Sequence, residues 1–282
     1  MKFTMKPAVW LTVFVFALTM STVAFAADGV DWERGVVRAT GVGAGKASFR
    51  KEKPGIYRQQ AKRAATMDAQ RNLAEFVKGV RVTSDSSIKD LELANDNVRT
   101  RVDTIISGMT EISSQYSEKD GTYEVVLEMP LFGGGGNSLS EAAFLPFKDE
   151  PKTDFPQPVN ATVVNEPAVV NQNYTGLIID CRGMNINCVM SPVIKNENNT
   201  PIYGHQNLDI DKVIANGMAS YASDANDQTA RQRAGAKPLI VKVVRLADNS
   251  ANPVVSVADA DKILAANAHD RFLDNCAVVF LK

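Results

Sequence analysis

Cysteine is the residue type best placed for chemistry in this chain. Cys181 ends one apolar run, residues 176–181 (GLIIDC), and Cys188 opens the next, residues 188–194 (CVMSPVI). A strand–turn–strand there would bring the two Cα atoms within the roughly 4.4–6.8 Å that a disulfide needs. Closing that short loop would stabilise by on the order of 2–3 kcal/mol if the bridge were unstrained. Two readings stay open. One is a Cys181–Cys188 disulfide with Cys276 a buried free thiol; the other is three independent buried thiols. Pairing Cys276 would require the last strand to lie directly beside the hairpin, a sheet order that spacing alone does not reveal. The expected role is structural and not redox.

Other residue groups invite chemistry and fail on spacing. The cluster Gly41-Val42-Gly43-Ala44-Gly45-Lys46 has Thr40 where a phosphate loop needs its first glycine, and Ala47 where it needs Ser or Thr. A mobile turn after a strand is the expectation there. His205 and His269 are far apart, and neither stands in metal-ligand spacing. Asp209/Asp211 and Asp259/Asp261 fall at helix starts, where carboxylates satisfy orphan amides. Residues 196–200 lack the acidic count of a calcium loop. No G-x-S-x-G elbow occurs. The sequence therefore assigns no catalytic residue, no cofactor and no metal.

The elements that would position any site follow an address. Lys2 and Lys6 precede a 13-residue apolar run, residues 8–20, and Ala24-Phe25-Ala26 closes an A-x-A pattern. Residues 1–26 thus read as a secretory signal peptide, too short for a membrane span of about 20 apolar residues. The expected mature chain starts at Ala27, or one or two residues later, and has no later transmembrane segment. The full sequence carries a formal net charge of −1, and the mature chain −3 once Lys2 and Lys6 leave with the leader. That balance provides no basic face for nucleic acid.

Residues 133–173 carry four consecutive glycines (Gly133–Gly136), then Pro146, Pro151, Pro156, Pro158 and Pro167. Glycine freedom and spaced prolines mark a flexible linker, with one short helix at 138–144. Before it, residues 30–132 read as an α+β module. The expected elements are a strand at 35–40, an amphipathic helix at 57–78, a strand at 80–83 and a helix at 91–106. A hairpin at 110–117 and 122–130 follows, turning on Asp120-Gly121. After the linker, residues 174–282 form a second α+β module. Its strands are expected at 176–181, 188–194, 238–246, 253–257 and 276–281, the first two as a hairpin. Helices are expected at 209–221, 228–234 and 257–267.

Two blocks carry a resemblance. Residues 64–131 contain AQRNLAEFVKGVRV and later DGTYEVVLEMPL. This alanine-rich helix, G-V-x-V segment and D-G-x-Y-x-V hairpin resemble the LPP-twenty lipoprotein family of bacterial cell envelopes. The N-terminal domain of the flagellar assembly protein FlgT has a related look. The second block, residues 174–281, resembles the C-terminal extension of longer members through YTGLIIDCRGMNINCVMSP, IYG, KPLIVKVV and SVADADKIL. The resemblance implies an envelope protein without known catalysis, sometimes lipid-anchored and sometimes linked to flagellar or surface assembly. No cysteine stands near the expected cut, so the lipid-anchor site of such proteins is missing here.

The expected function is that of a non-enzymatic exported cell-envelope protein, a binding or assembly module in the periplasm or peripheral to the outer membrane. Its partners would be other envelope proteins, not nucleic acid. The alternative is an exported enzyme whose site is assembled from scattered carboxylates. A concave pocket holding a carboxyl with a strongly raised pKa would favour the enzyme. An open sheet edge or an apolar patch would favour the binding protein.

Overall fold

The protein is described by a computed structural model over residues 27–159 and 172–282. The expected leader, residues 1–26, lies outside the described residues, as do residues 160–171. Among the described residues, eight α-helices and twelve strands in three sheets make a mixed α+β architecture.

The first module opens with β1 (Gly29–Asp31) and β2 (Val36–Ala44), continues through four helices, and closes with β3 (Thr110–Ser117) and β4 (Thr122–Pro130). The sheet is antiparallel in the order β1-β2-β4-β3, and the expected Asp-Gly hairpin joins β3 to β4. After α1 (Phe49–Glu52), helix α2 (Pro54–Gly79) lies along one face of the sheet. Its buried residues, Tyr57, Ala61, Ala65, Ala69, Leu73 and Val77, recur at every fourth position. Phe76, an apolar residue of the same helix, lies off that stripe and is partly exposed.

The glycine cluster is not a mobile turn. Gly41 and Gly43 are inside β2 on the face turned to α2. A Cβ on Gly41 would fall on the backbone of Ala65 and Ala69, and one on Gly43 on the backbone of Ala61 and Ala65. Glycine is used here for the close approach of helix to strand, not for its freedom.

Two further expectations are corrected. Residues 80–83 form no sheet strand; Met190 N donates to Arg81 O at 3.0 Å and Ser191 N to Val82 O at 2.7 Å, so this stretch pairs with the second module. The helix expected at 91–106 is two helices, α3 (Ile88–Ala94) and α4 (Asp96–Ser107). Ser87 and Asp90 form a capping box on α3, and Asn95, accepting from Asn97 N, restarts the chain as α4.

The stretch expected as a linker without core contacts begins as a packed bridge. Helix α5 (Leu139–Phe144) buries Leu139, Ala142, Ala143 and Phe144 completely. Ser140 Oγ donates to Ile214 O at 2.7 Å, while Ser140 N donates back to Leu131 O at 2.8 Å. A single cluster of buried residues runs from Val37 in β2 through Phe144 to Phe280 near the C-terminus. Further on, Phe147 packs on His205 with centroids 4.7 Å apart, and Phe155 stacks on Tyr203 at 6.5 Å. Apolar residues at 139, 142, 143, 144, 147 and 155 outweigh the glycines and prolines around them.

The second module holds the other two sheets. One is parallel, in the order β8 (Ser220–Ala222), β12 (Val278–Leu281), β5 (Gly176–Asp180), β9 (Pro238–Lys242). The other orders β10 (Arg245–Ala247), β11 (Asn252–Val255), β6 (Ile194–Asn196) and β7 (Pro201–Tyr203). Helices α6 (Ile210–Asn216), α7 (Gln228–Ala234) and α8 (Val257–Asp270) complete it. The expected hairpin at 176–194 is absent. β5 is central to the parallel sheet, and only Ile194 of the second run enters a strand, in the other sheet. Residues 238–246 likewise divide between two sheets. Continuous apolar runs suit strands buried on both faces, and β5 and β12 are such strands.

Candidate functional site

Where the modules meet, a cleft of about 510 Å³ opens. The β1–β2 turn supplies Trp32, Glu33 and Arg34, and the Asp31 carboxylate holds that turn by accepting from Glu33 N and Arg34 N at 3.1 and 3.0 Å. Phe132, just past β4, forms another wall. Gly217, at φ +75°, ends α6 against that ring, where a Cβ would come within 3.0 Å of it. From the second module come Tyr221 on β8 and Arg233 on α7. Trp32 meets Tyr221 edge-on at 5.6 Å, and Tyr221 meets Phe280 in the same way at 5.7 Å. The Tyr221 hydroxyl is fully engaged, accepting from Val189 N at 2.9 Å and donating to Val189 O at 3.0 Å.

Charge in the cleft is uneven. Glu33 lies 3.6 Å from Lys282. Arg34 is 3.7 Å from Glu128, a carboxylate that Arg38 also engages. Arg233 has no ion pair among the described residues; its two terminal nitrogens donate to the carbonyls of Asn216 and Gly217. Burial disfavours its charged form and holds its pKa below the ordinary arginine value. Burial also raises the carboxyl pKa of Glu92, but that residue is on α3, away from the cleft.

A second feature is the outer edge of the parallel sheet. β9 pairs only with β5. Apart from that ladder, no backbone group of β9 is hydrogen-bonded to another segment among the described residues. Ile240 is 57% exposed and Val244, just beyond, 48%. Beside them runs a groove of about 550 Å³ lined by Asn226, Arg231, Gly235, Pro238 and Ile240. Arg231 lines it, Lys237 precedes β9 with its ammonium donating to Gln172, and Lys242 ends β9; none of the three is in an ion pair among the described residues. The antiparallel sheet has an open edge too, β3, but it is interrupted by a register shift between Glu111 and Ser113, and Lys62 binds Glu111 at 2.8 Å. A bulge blunts an edge, and the β9 ladder runs without one.

The residues singled out from the sequence lie apart. Cys181, Cys188 and Cys276 stand as free thiols, Cys181 and Cys276 buried and Cys188 half-buried in a loop. Burial pushes the Cys181 thiol up to about 12 and Cys188 to about 11. His205, half-buried, packs under Phe147, and burial lowers its pKa. His269 is 2.7 Å from Asp270 at the end of α8. Asp209 caps α6 as expected, accepting from Asp211 N and Lys212 N. Ser256 caps α8, with Asp259 in its first turn, but Asp261 is buried and accepts from Val159 N at 2.7 Å. Among the described residues, no three His, Cys, Asp or Glu side chains converge as a metal site would need. No described helix is long and apolar enough to cross a membrane. Sequence reading missed the cleft, since Trp32 and Arg233 are 201 positions apart and neither sits in a motif.

The molecule thus pairs a helix-backed antiparallel module with a two-sheet module. Residues 37–129, from β2 into β4, match the family model of the LPP20 lipoprotein. Residues 176–282 match that of the second domain of Treponema pallidum Tp0624. The first match shows the resemblance read from the alanine-rich helix and the Asp-Gly hairpin; the second supports a C-terminal extension. No curated protein matches the chain.

Proposed function

We propose that this is a non-enzymatic, exported cell-envelope protein that binds an envelope partner along β9. The LPP20 lipoprotein match and the leader-like N-terminus support the compartment. The single observation that carries the binding role is the unpaired edge of β9, with Ile240 exposed and Arg231, Lys237 and Lys242 around it. An extended partner segment can add to such an edge through backbone hydrogen bonds, its alternate side chains choosing the match. The cations select an acidic segment. The test uses labelled peptides with alternating charge, (Glu-Val)4 and (Lys-Val)4, in anisotropy titrations. The acidic peptide should bind, and should bind at least tenfold more weakly to Lys242→Glu. Equal binding of both peptides, or no change in the variant, would overturn the reading.

The Cys181–Cys188 bridge stays a proposal for the exported form. Cys188 is near enough to add a small upward push to the Cys181 pKa, behind burial and Asp180. Both thiols are held protonated by burial, so bridging them needs an exported dithiol oxidase to take two electrons while two protons leave. Non-reducing peptide mapping tests it. A bridged peptide containing Cys276, or three free thiols, would sink it.

A further inference from the structure

The junction cleft has a chemistry separate from the β9 edge. A guanidinium carries five N–H donors. Arg233 spends two of them, one from each terminal nitrogen, on the carbonyls of Asn216 and Gly217. Those bonds fix the plane of the group but leave its charge without a counter-ion. Its Nε is shut away from solvent and has no partner, so the donors left for a ligand are the remaining N–H groups of the terminal nitrogens. Arg34, on the facing turn, is half-exposed and makes no side-chain hydrogen bond within the described residues. The carboxylate of the cleft, Glu33, is turned to Lys282.

Two arginines with spare donors thus face a space walled by Trp32, Phe132 and Tyr221. A partly desolvated cation without a counter-ion is costly, and an arriving anion removes that cost while gaining charge-assisted hydrogen bonds. Arginine's planar fork suits a carboxylate, phosphate or sulfonate group. The aromatic walls suit a flat apolar body, and about 510 Å³ lies within the range of small-ligand pockets, roughly 300–1,000 Å³. We infer that the cleft between the modules binds a small ligand that carries an anionic group beside a flat ring, with Arg233 and Arg34 holding the anion and Trp32 the ring. The two halves of the site come from different modules, so the ligand also fastens one to the other.

Trp32 makes the test specific. The chain has two tryptophans, Trp10 and Trp32, so a Trp10→Phe chain reports from the cleft alone. The probes are 8-anilinonaphthalene-1-sulfonate, an anionic aromatic compound, and neutral N-phenyl-1-naphthylamine. Benzoate and glucose 6-phosphate serve as competitors that separate a ring acid from a phosphorylated sugar. The sulfonate should quench Trp32 saturably at one site and bind at least tenfold more tightly than the neutral probe. Arg34→Gln, a change on an exposed turn, should weaken it at least fivefold, and Arg233→Gln at least tenfold. Displacement by benzoate supports a ring acid; displacement by glucose 6-phosphate and not by benzoate would overturn the assignment of Trp32 to a flat ring. If Arg233→Gln does not fold, Arg34→Gln decides. Equal affinity for both probes, or sulfonate binding unchanged in Arg34→Gln, would overturn the proposal. Neither result touches the peptide test at β9, so the two readings can fail separately.

Discussion

The seam between α2 and β2 and the junction between the two modules are built on opposite terms. At the seam, Gly41 and Gly43 face Ala61, Ala65 and Ala69, and backbone meets backbone with no space for a methyl group. At the junction, aromatic rings and arginines meet backbone carbonyls and leave a cavity of about 510 Å³. The seam spends small residues on closeness and has nothing left with which to recognise a ligand. The junction is loosely filled, and its unspent donors are what a ligand could use. Packing and recognition are thereby separated within one continuous core.

The sharpest way to break that picture is to hollow out the bridge. Phe144 is fully buried on α5, which connects both modules' cores. Phe144→Ala should cost about 3–5 kcal/mol, the usual range for a buried phenylalanine. Urea unfolding should show the loss as a lower midpoint, and residues 139–147 should become accessible to protease. If stability barely changes, α5 is not part of a shared core and the modules stand independently.

The seam should fail from the opposite cause. Gly41→Ala adds one methyl group directly against the α2 backbone, and overpacking of this kind costs roughly 1–3 kcal/mol, occasionally more. Gly55, near the start of α2, has open space around it. Gly55→Ala should therefore be neutral or slightly stabilising, which makes it the internal control for thermal melts. Equal effects at the two positions would mean that α2 rides further from the sheet than the structure has it.

What could be read from the sequence follows this same division. Local patterns were legible: the α2 stripe, the Asp-Gly hairpin, α7 and the caps of α6 and α8 each depend on neighbours within a few residues. Pairings across the chain were not. Glycine shows the same letter whether it turns the chain or admits a helix, so Gly41 and Gly43 read as a turn until Ala65 and Ala69 are placed over them. Residues 176–194 look like a hairpin because two apolar runs flank a polar stretch. They are not one, because β5 is buried between β9 and β12 and leaves no free side for a hairpin partner. The cleft was illegible for a related reason: its arginines and aromatic residues belong to four separate segments, and only the fold brings them together.

A smaller effect sharpens the contrast on the surface. Lys62 and Glu111 tie α2 to β3 at 2.8 Å, and each holds the other in its charged form through that hydrogen bond. Both side chains are about a third or more exposed, so solvent screens the pair. Lys62→Met should change stability by less than about 1 kcal/mol, far below either core substitution. A loss near that of Gly41→Ala would show that the seam depends on its charged rim and not on its Gly/Ala contact.

The smallest expected effect is a dependence on pH that belongs to the bridge and not to the seam. His205 sits under Phe147, with Ser191 Oγ 3.4 Å from its Nδ1 and Glu150 as the charged group nearest in influence. Burial is the largest influence and lowers its pKa, with the charge of Glu150 pulling the other way. The unfolded chain therefore takes up the proton first as pH falls. Stability is unaffected well above the unfolded value of 6.5 and is lost as pH drops through it, until the folded state is protonated as well. Across pH 7.5 to 5.0, the melting temperature of the native protein should fall more than that of His205→Gln, which cannot titrate there. Gly41→Ala should keep the native slope, because the Gly/Ala contact contains no titrating group. If His205→Gln and the native protein show parallel pH profiles, the imidazole is solvated in solution and the Phe147 contact does not hold the bridge in place.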